Sequence, residues 1–523
     1  MSAIITDQLR ILNSENFVTG IASTTNSYYA WIGLPNPTDF QSDWNENPPS
    51  PKDSFSEEND YWDTMIALKK INSDDIARVV RKISWSSGTT YEMYRDDYSR
   101  SNLSPQTSST NLYDTNYYVM NQNFRVYICL QNGTTPENTG GRPSLDEPLF
   151  TDLEPRSAGT SGDGYIWKYL FTIDPNSIIK FDSTSFIPLP QNWSTNNDVA
   201  AVRNNAATSG QLKIITITNR GVGYGTAATY NNVPIKGDGS GGRCSVTVNA
   251  AGKMDSVEIT NGGSNYTFGT VDLNSVGLAN PSGSTDAAFN VIIPPQNGHG
   301  ADIYRELGAN RVLIYSRLEN DSSNPDFIVG NQFSRVGLCR DPLAFGSNDK
   351  LTLQKASAVY AIKLIGAGST TTSFTADSEI TQTVGVGSTA VGRVINWDAT
   401  TGVLKYWQDR RTSGFNTDGT ANISPKYGFE LFRFTADPGT GGGIAVSGGS
   451  NDLNIDTNFG VDSSPMISTA INSRTYNLGM SFVKGVANPE VKKYSGDIIY
   501  VDNRASVTRS SQQKEDIKIV LEF

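Results

Sequence analysis

The sequence predicts a multi-domain, mainly β protein with some α-helix, an α+β chain on an antiparallel framework. Three observations predict it. The chain has 523 residues, more than a single hydrophobic core usually serves. Hydrophobic residues make up 37% and charged residues only 18%, which supplies cores and argues against disorder. Short runs rich in β-branched and aromatic residues recur between clusters of Gly, Asn, Ser and Thr, the pattern of strands and turns.

Residues 3–21 have mixed helical spacing and predict a short helix or arm, with Ile4, Leu9, Leu12 and Phe17 as its buried positions. Asp7 and Arg10 interrupt this stretch, which argues against a signal peptide. No run anywhere approaches the ~20 apolar residues of a helical membrane span, so none is expected. Pro35, Pro37, Pro48, Pro49 and Pro51 impose an extended connection. The one clear helix is expected over 57–71. Ser56 serves as its cap, Glu57 and Glu58 sit at the positive end of its dipole and Lys69 and Lys70 at the negative end. Trp62, Met65, Ile66 and Lys69 then share one packed face.

From Val79 onward the pattern turns to strands, expected at 91–94, 117–120 and 124–130, with Asn132-Gly133 as a turn. A loop over 134–161 leads to Gly162-Asp163-Gly164, which launches the central run Tyr165-Ile166-Trp167-Lys168-Tyr169-Leu170-Phe171-Thr172-Ile173. Tyr165, Trp167, Tyr169, Phe171 and Ile173 are expected on one buried face, with Ile166, Lys168, Leu170 and Thr172 on the other. Asp174-Pro175 stops the strand.

After Asn192 the composition shifts towards Gly, Asn, Ser and Thr, and a repeat appears. Ile217-Thr218-Asn219-Arg220-Gly221-Val222-Gly223-Tyr224 recurs from position 259 as Ile259-Thr260-Asn261-Gly262-Gly263-Ser264-Asn265-Tyr266. Strands are expected to follow at 244–248 and 288–292. Two copies are too few for a solenoid, so a small β domain with internal duplication is predicted. Strands at 311–315 and 334–339 follow, then a second glycine-rich β segment. There 390–397 and 402–407 are expected to form a hairpin about 398–401, with Trp397 and Trp407 in its core. Low-complexity sequence over 438–450 predicts a loop. In the last strand Ile517, Ile519, Leu521 and Phe523 alternate with Lys518, Val520 and Glu522, and truncation there is expected to damage the fold.

Little in the chain points to chemistry. A net charge of −11 disfavours binding to nucleic acid or an anionic membrane surface. Arg78, Arg81 and Lys82, the densest early basic cluster, are expected at a solvated helix end. Cys129, Cys244 and Cys339 lack metal-ligand or disulfide-framework spacing. His299 stands alone, which is poor material for a metal site or a triad. The loop 237–243 lacks the Gly-Lys-Ser/Thr ending of a phosphate cradle, and its single aspartate is a weak calcium site. Neither Asp96-Asp97 nor Asp146-Glu147 stands out as a glycosidase pair. No catalytic, cofactor-binding or metal-binding residue is expected, and no cofactor.

Seven blocks nevertheless carry a resemblance through their order. They are Tyr61-Trp62-Asp63-Thr64-Met65, Phe124-Arg125-Val126-Tyr127-Ile128-Cys129-Leu130, the stretch from Gly162 through Ile173, Ser185-Phe186-Ile187-Pro188-Leu189-Pro190, residues 333–343, 495–504 and 515–523. In this order they resemble a baseplate wedge subunit of T-even-type contractile-tailed phages, the wedge protein that is a homodimer in isolation. The resemblance covers about half of the chain. It implies a structural virion protein of the tail baseplate, assembled in the host cytoplasm, partnered by itself and other wedge proteins, with no catalytic residues. It also implies that glycine-rich segments between the blocks are insertions, giving five segments: framework at 1–204, 301–356 and 471–523, inserted β domains at 205–300 and 357–470. Tail-fibre proteins are further expected partners, through the insertions. The alternative is a tail-fibre or receptor- or carbohydrate-binding virion protein, and a virion-associated glycan hydrolase is a more distant one.

Overall fold

A computed structural model describes residues 3–23, 25–38, 41–208, 211–278, 285–319, 332–365, 374–385, 388–408, 433–436, 443–446, 453–510 and 513–523. Among the described residues strand far outweighs helix and the sheets are antiparallel, with one isolated parallel bridge between Ser84 and Met120. The chain forms two units. One comprises Met1–Val18, Ile76–Ile314 and Ile519–Phe523, the other Thr19–Asp75 and Tyr315–Lys518.

The first unit is built on a three-stranded sheet of Tyr118–Met120, Arg125–Asn132 and Tyr165–Thr172. Gly162 and Gly164 take φ of +69° and +87°, which a side chain rarely adopts, and Asp163 accepts the Tyr165 N–H at 3.0 Å to set the strand's start. Asp174 ends it by capping the helix Pro175–Phe181. The simple two-face alternation expected for this strand does not hold. Register shifts opposite 126–127 and 129–131 rotate the chain, and the sheet is covered on both sides, so Lys168 and Leu170 are buried with Trp167 while Tyr169 is half-buried. Lys168 donates to Leu153 O at 2.7 Å and to Asn205 Oδ1 at 3.1 Å.

Three further expectations are corrected in this unit. Residues 91–94 are not a strand; Glu92 instead accepts the N–H groups of Gln106, Thr107 and Asn116, and Tyr91 N donates to Tyr165 Oη at 2.9 Å. These side-chain anchors stand beside two backbone bonds, Glu92 N to Asn116 O and Tyr94 N to Cys129 O, which do not make up a ladder. Arg78 and Arg81 lie on the strand Ile76–Arg81, not a helix end: Arg78 covers the Tyr304 ring at 3.2 Å and Arg81 donates to two backbone carbonyls, while Lys82 pairs with Asp182 at 2.9 Å. The N-terminal helix is Asp7–Ala22, but Ile4, Leu9 and Leu12 are exposed. Ile11, Ser14 and Ile21 are its buried positions, Ser14 Oγ donating to Ala309 O at 2.6 Å, and half-buried Phe17 meets Phe523 at 5.5 Å between ring centroids.

Residues 211–278 and 285–293 of this unit form two small sheets around a core of their own. Met254–Asn261, Arg243–Val248, Ala228–Gly237 and Gly269–Val271 are paired in that order, and Ala288–Val291 pairs with Ile215–Asn219. Val233, Cys244, Val246 and Met254 are fully buried between them. Both copies of the repeat fold alike. Asn219 and Asn261 each accept the N–H of the glycine two residues on, at 2.9 and 3.0 Å. Gly221 and Gly263 have φ of +60° and +55°, and the tyrosine that ends each copy is buried.

The second unit carries a five-stranded sheet in the order Lys355–Ser357, Met65–Lys70, Tyr28–Gly33, Gln332–Arg340, Asp497–Thr508. The helix expected over 57–71 is here corrected: it runs Phe55–Thr64, Ser54 rather than Ser56 accepts the cap bond, and Met65–Lys70 is an inner strand. Met65 through Leu68 are buried whichever way they point, so the run carries no period that separates helix from strand. A seven-stranded sheet orders Leu453–Asn454, Gly443–Val446, Glu379–Gly385, Ser388–Asp398, Val403–Trp407, Tyr360–Lys363 and Val486–Ala487. It contains the expected hairpin, with Asp398 opposite Val403; Trp407 is buried and Trp397 half-buried. Of the loop expected at 438–450, Gly443–Val446 is a strand, and the rest lies outside the described residues.

Candidate functional site

The first unit contains a cleft of about 590 Å³, within the size range of ligand sites. One wall comes from the framework: Gln131 and Ile166 on neighbouring strands, the turn 134–136, and Glu154-Pro155. The other wall is formed by two strands of different sheets, Ile215–Asn219 and Met254–Asn261, in each of which a repeat copy begins. Every residue from 255 to 262 lines the cleft. A strand that turned one face to the cleft would contribute alternate residues, so this one presents its edge.

Charges on the walls are largely paired. Lys213 meets Glu154 at 2.9 Å, and Arg220 meets Glu137 at 2.7 Å and Asp255 at 3.8 Å. Burial alone would raise the Glu154 carboxyl, but hydrogen bonds from Asn205 and Lys213 outweigh it and hold the group below its usual range. The hydrogen bond to Arg220 likewise lowers Glu137. Glu258 differs: exposed on the strand edge, its carboxylate has no ion pair or hydrogen bond among the described residues. The arrangement offers polar backbone, one unengaged carboxylate and flanking apolar side chains. It offers binding, without an assembled nucleophile and base.

The residues weighed from sequence as chemical candidates are engaged elsewhere. His299 is buried, its Nδ1 2.7 Å from Glu306 Oε1, while Glu306 Oε2 accepts the Gly300 N–H at 2.7 Å. Asp238 in the glycine loop accepts the Thr267 N–H and hydroxyl. Asp96 accepts Ile293 N, Asp97 pairs with Arg95, Asp146 accepts Ser161 N and Glu147 holds Gln122. All three cysteines are buried thiols, pushed up in pKa by burial. Among the described residues, no group of His, Cys, Asp and Glu could hold a metal ion, and no helix is long and apolar enough to cross a membrane. Sequence reasoning located the repeat but not the cleft, since Glu258 belongs to an ordinary alternating strand until its edge is known to be open. No protein-family model matches the chain, and no curated protein matches it.

Proposed function

We propose that the chain is a structural subunit of a contractile-tail baseplate, a wedge protein that links its neighbours and acts without catalysis. The observation that carries this reading is the chain order of the seven sequence blocks. Six of the seven lie largely on paired strands or the helix that feeds one, such as Phe55–Thr64, Arg125–Asn132, Tyr165–Thr172 and Asp497–Thr508. That is where an assembly protein keeps its rigid parts, and the engagement of the titratable side chains in structural bonds agrees with a mechanical role. Its partners are a second copy of itself and other wedge proteins, and its place is the virion. Residues 205–300 then decorate the wedge or anchor fibres.

The mass of the isolated protein in solution tests the reading. A subunit weighs 56.7 kDa, so light scattering across a gel-filtration peak separates about two from about three subunits without difficulty. A dimer is expected. A trimer moves the assignment to a tail-fibre or receptor-binding protein, and a monomer that is also unpaired in the particle overturns the wedge reading.

A further inference from the structure

The cleft lies along a seam between two strands that are hydrogen-bonded at both ends and not in between. At one end Leu212 N donates to Gly262 O at 3.0 Å; at the other Met254 N donates to Arg220 O at 2.9 Å. The two pairs stand in one antiparallel register, under which Thr216 falls opposite Glu258 at the midpoint. Between these pins Ile215–Asn219 and Met254–Asn261 belong to different sheets. Two bulges in Met254–Asn261, at Asp255 and Thr260, sit just inside the pins and bend the strand where pairing stops. The Arg220 guanidinium fastens one end further by donating to Met254 O and Asp255 O at 2.8 and 3.0 Å.

An opened strand edge offers a row of backbone donors and acceptors, a template for an added strand. None of the residues lining the cleft is aromatic, so a sugar ring finds no stacking platform there. The one unengaged charge, Glu258, is negative and central, and the chain carries a net −11. We propose that this seam is a strand-addition site for an extended segment of a partner polypeptide carrying a lysine or arginine opposite Glu258. The inference rests on the seam and not on the baseplate reading.

The test uses the full-length protein and a library of capped seven-residue peptides, with lysine fixed at the centre and Val, Thr, Ile or Arg elsewhere. At about 3.3 Å per residue, seven residues match the unpaired edge from 255 to 261. Members are expected to bind in fluorescence anisotropy, and their copies N-methylated at alternate amides to bind at least tenfold more weakly. Glu258→Lys is expected to weaken lysine-centred members at least tenfold while the protein's circular dichroism is unchanged. The idea fails if no library member binds at millimolar concentration. It fails equally if N-methylation and Glu258→Lys leave binding unchanged, or if a neutral oligosaccharide such as maltohexaose competes for the cleft in place of peptide.

Discussion

Lys168 is 1% exposed, on the same strand as Trp167. Burial lowers its pKa to about 8, the nearby Glu306 and Glu154 carboxylates opposing only part of that effect. The unfolded chain keeps an ordinary lysine near 10.5 and so binds more protons between about pH 8 and 10.5. Stability therefore rises with pH across that window, by at most about 3 kcal/mol, and is lost again as pH falls through 8. The expected outcome is a higher urea midpoint at pH 9.5 than at 7.5, a rise that Lys168→Met removes. Neither the burial of Lys168 nor the solvent-exposed edge position of Glu258 was legible in the sequence. Both depend on what covers a strand, and alternation alone assigned Lys168 to the less buried face.

At the scale of elements, the repeat was readable because its chemistry is local. An asparagine that accepts from the glycine two residues on, a left-handed glycine and a buried tyrosine all fall within six positions. Tyr266 shows what the motif holds: its hydroxyl accepts from Gly242 N at 3.0 Å and donates to Ile235 O at 2.9 Å, both buried. Tyr266→Phe leaves both groups unpaired and is expected to cost about 1–3 kcal/mol, read from the loss of amide-exchange protection over 233–248. The helix at 57–71 was misjudged beyond Thr64 for the opposite reason. The acidic first turn and Trp62 are local signals and mark a real helix, though its cap is Ser54 and not the expected Ser56, whereas the strand Met65–Lys70 is fixed by Tyr28–Gly33 and Lys355–Ser357, partners remote in sequence.

For the whole molecule, composition was enough to give a β-rich, multi-sheet fold with few helices. It could not give the sheet orders, which join strands hundreds of residues apart, nor the cleft, which exists only once 131–166 and 212–262 are folded together. The two extremes of the first unit meet in the same way. Phe17 packs on Phe523, and Phe523 N donates to Asn310 O at 3.1 Å. Phe523→Ala is expected to cost about 1–2 kcal/mol, less than the 3–5 of a fully buried ring, and chemical denaturation of the variant checks it. Removing 519–523 altogether should cost more, since Ile519 is buried.

That meeting of Phe17 and Phe523 bears on how the protein is made. A ribosome adds about 5–20 residues each second, so the helix Asp7–Ala22 leaves the exit tunnel on the order of half a minute or more before its aromatic partner has been synthesised. The first unit is thus completed only once Phe523 has emerged, and until then Phe17 on the nascent helix lacks the ring that packs on it and is open to a chaperone.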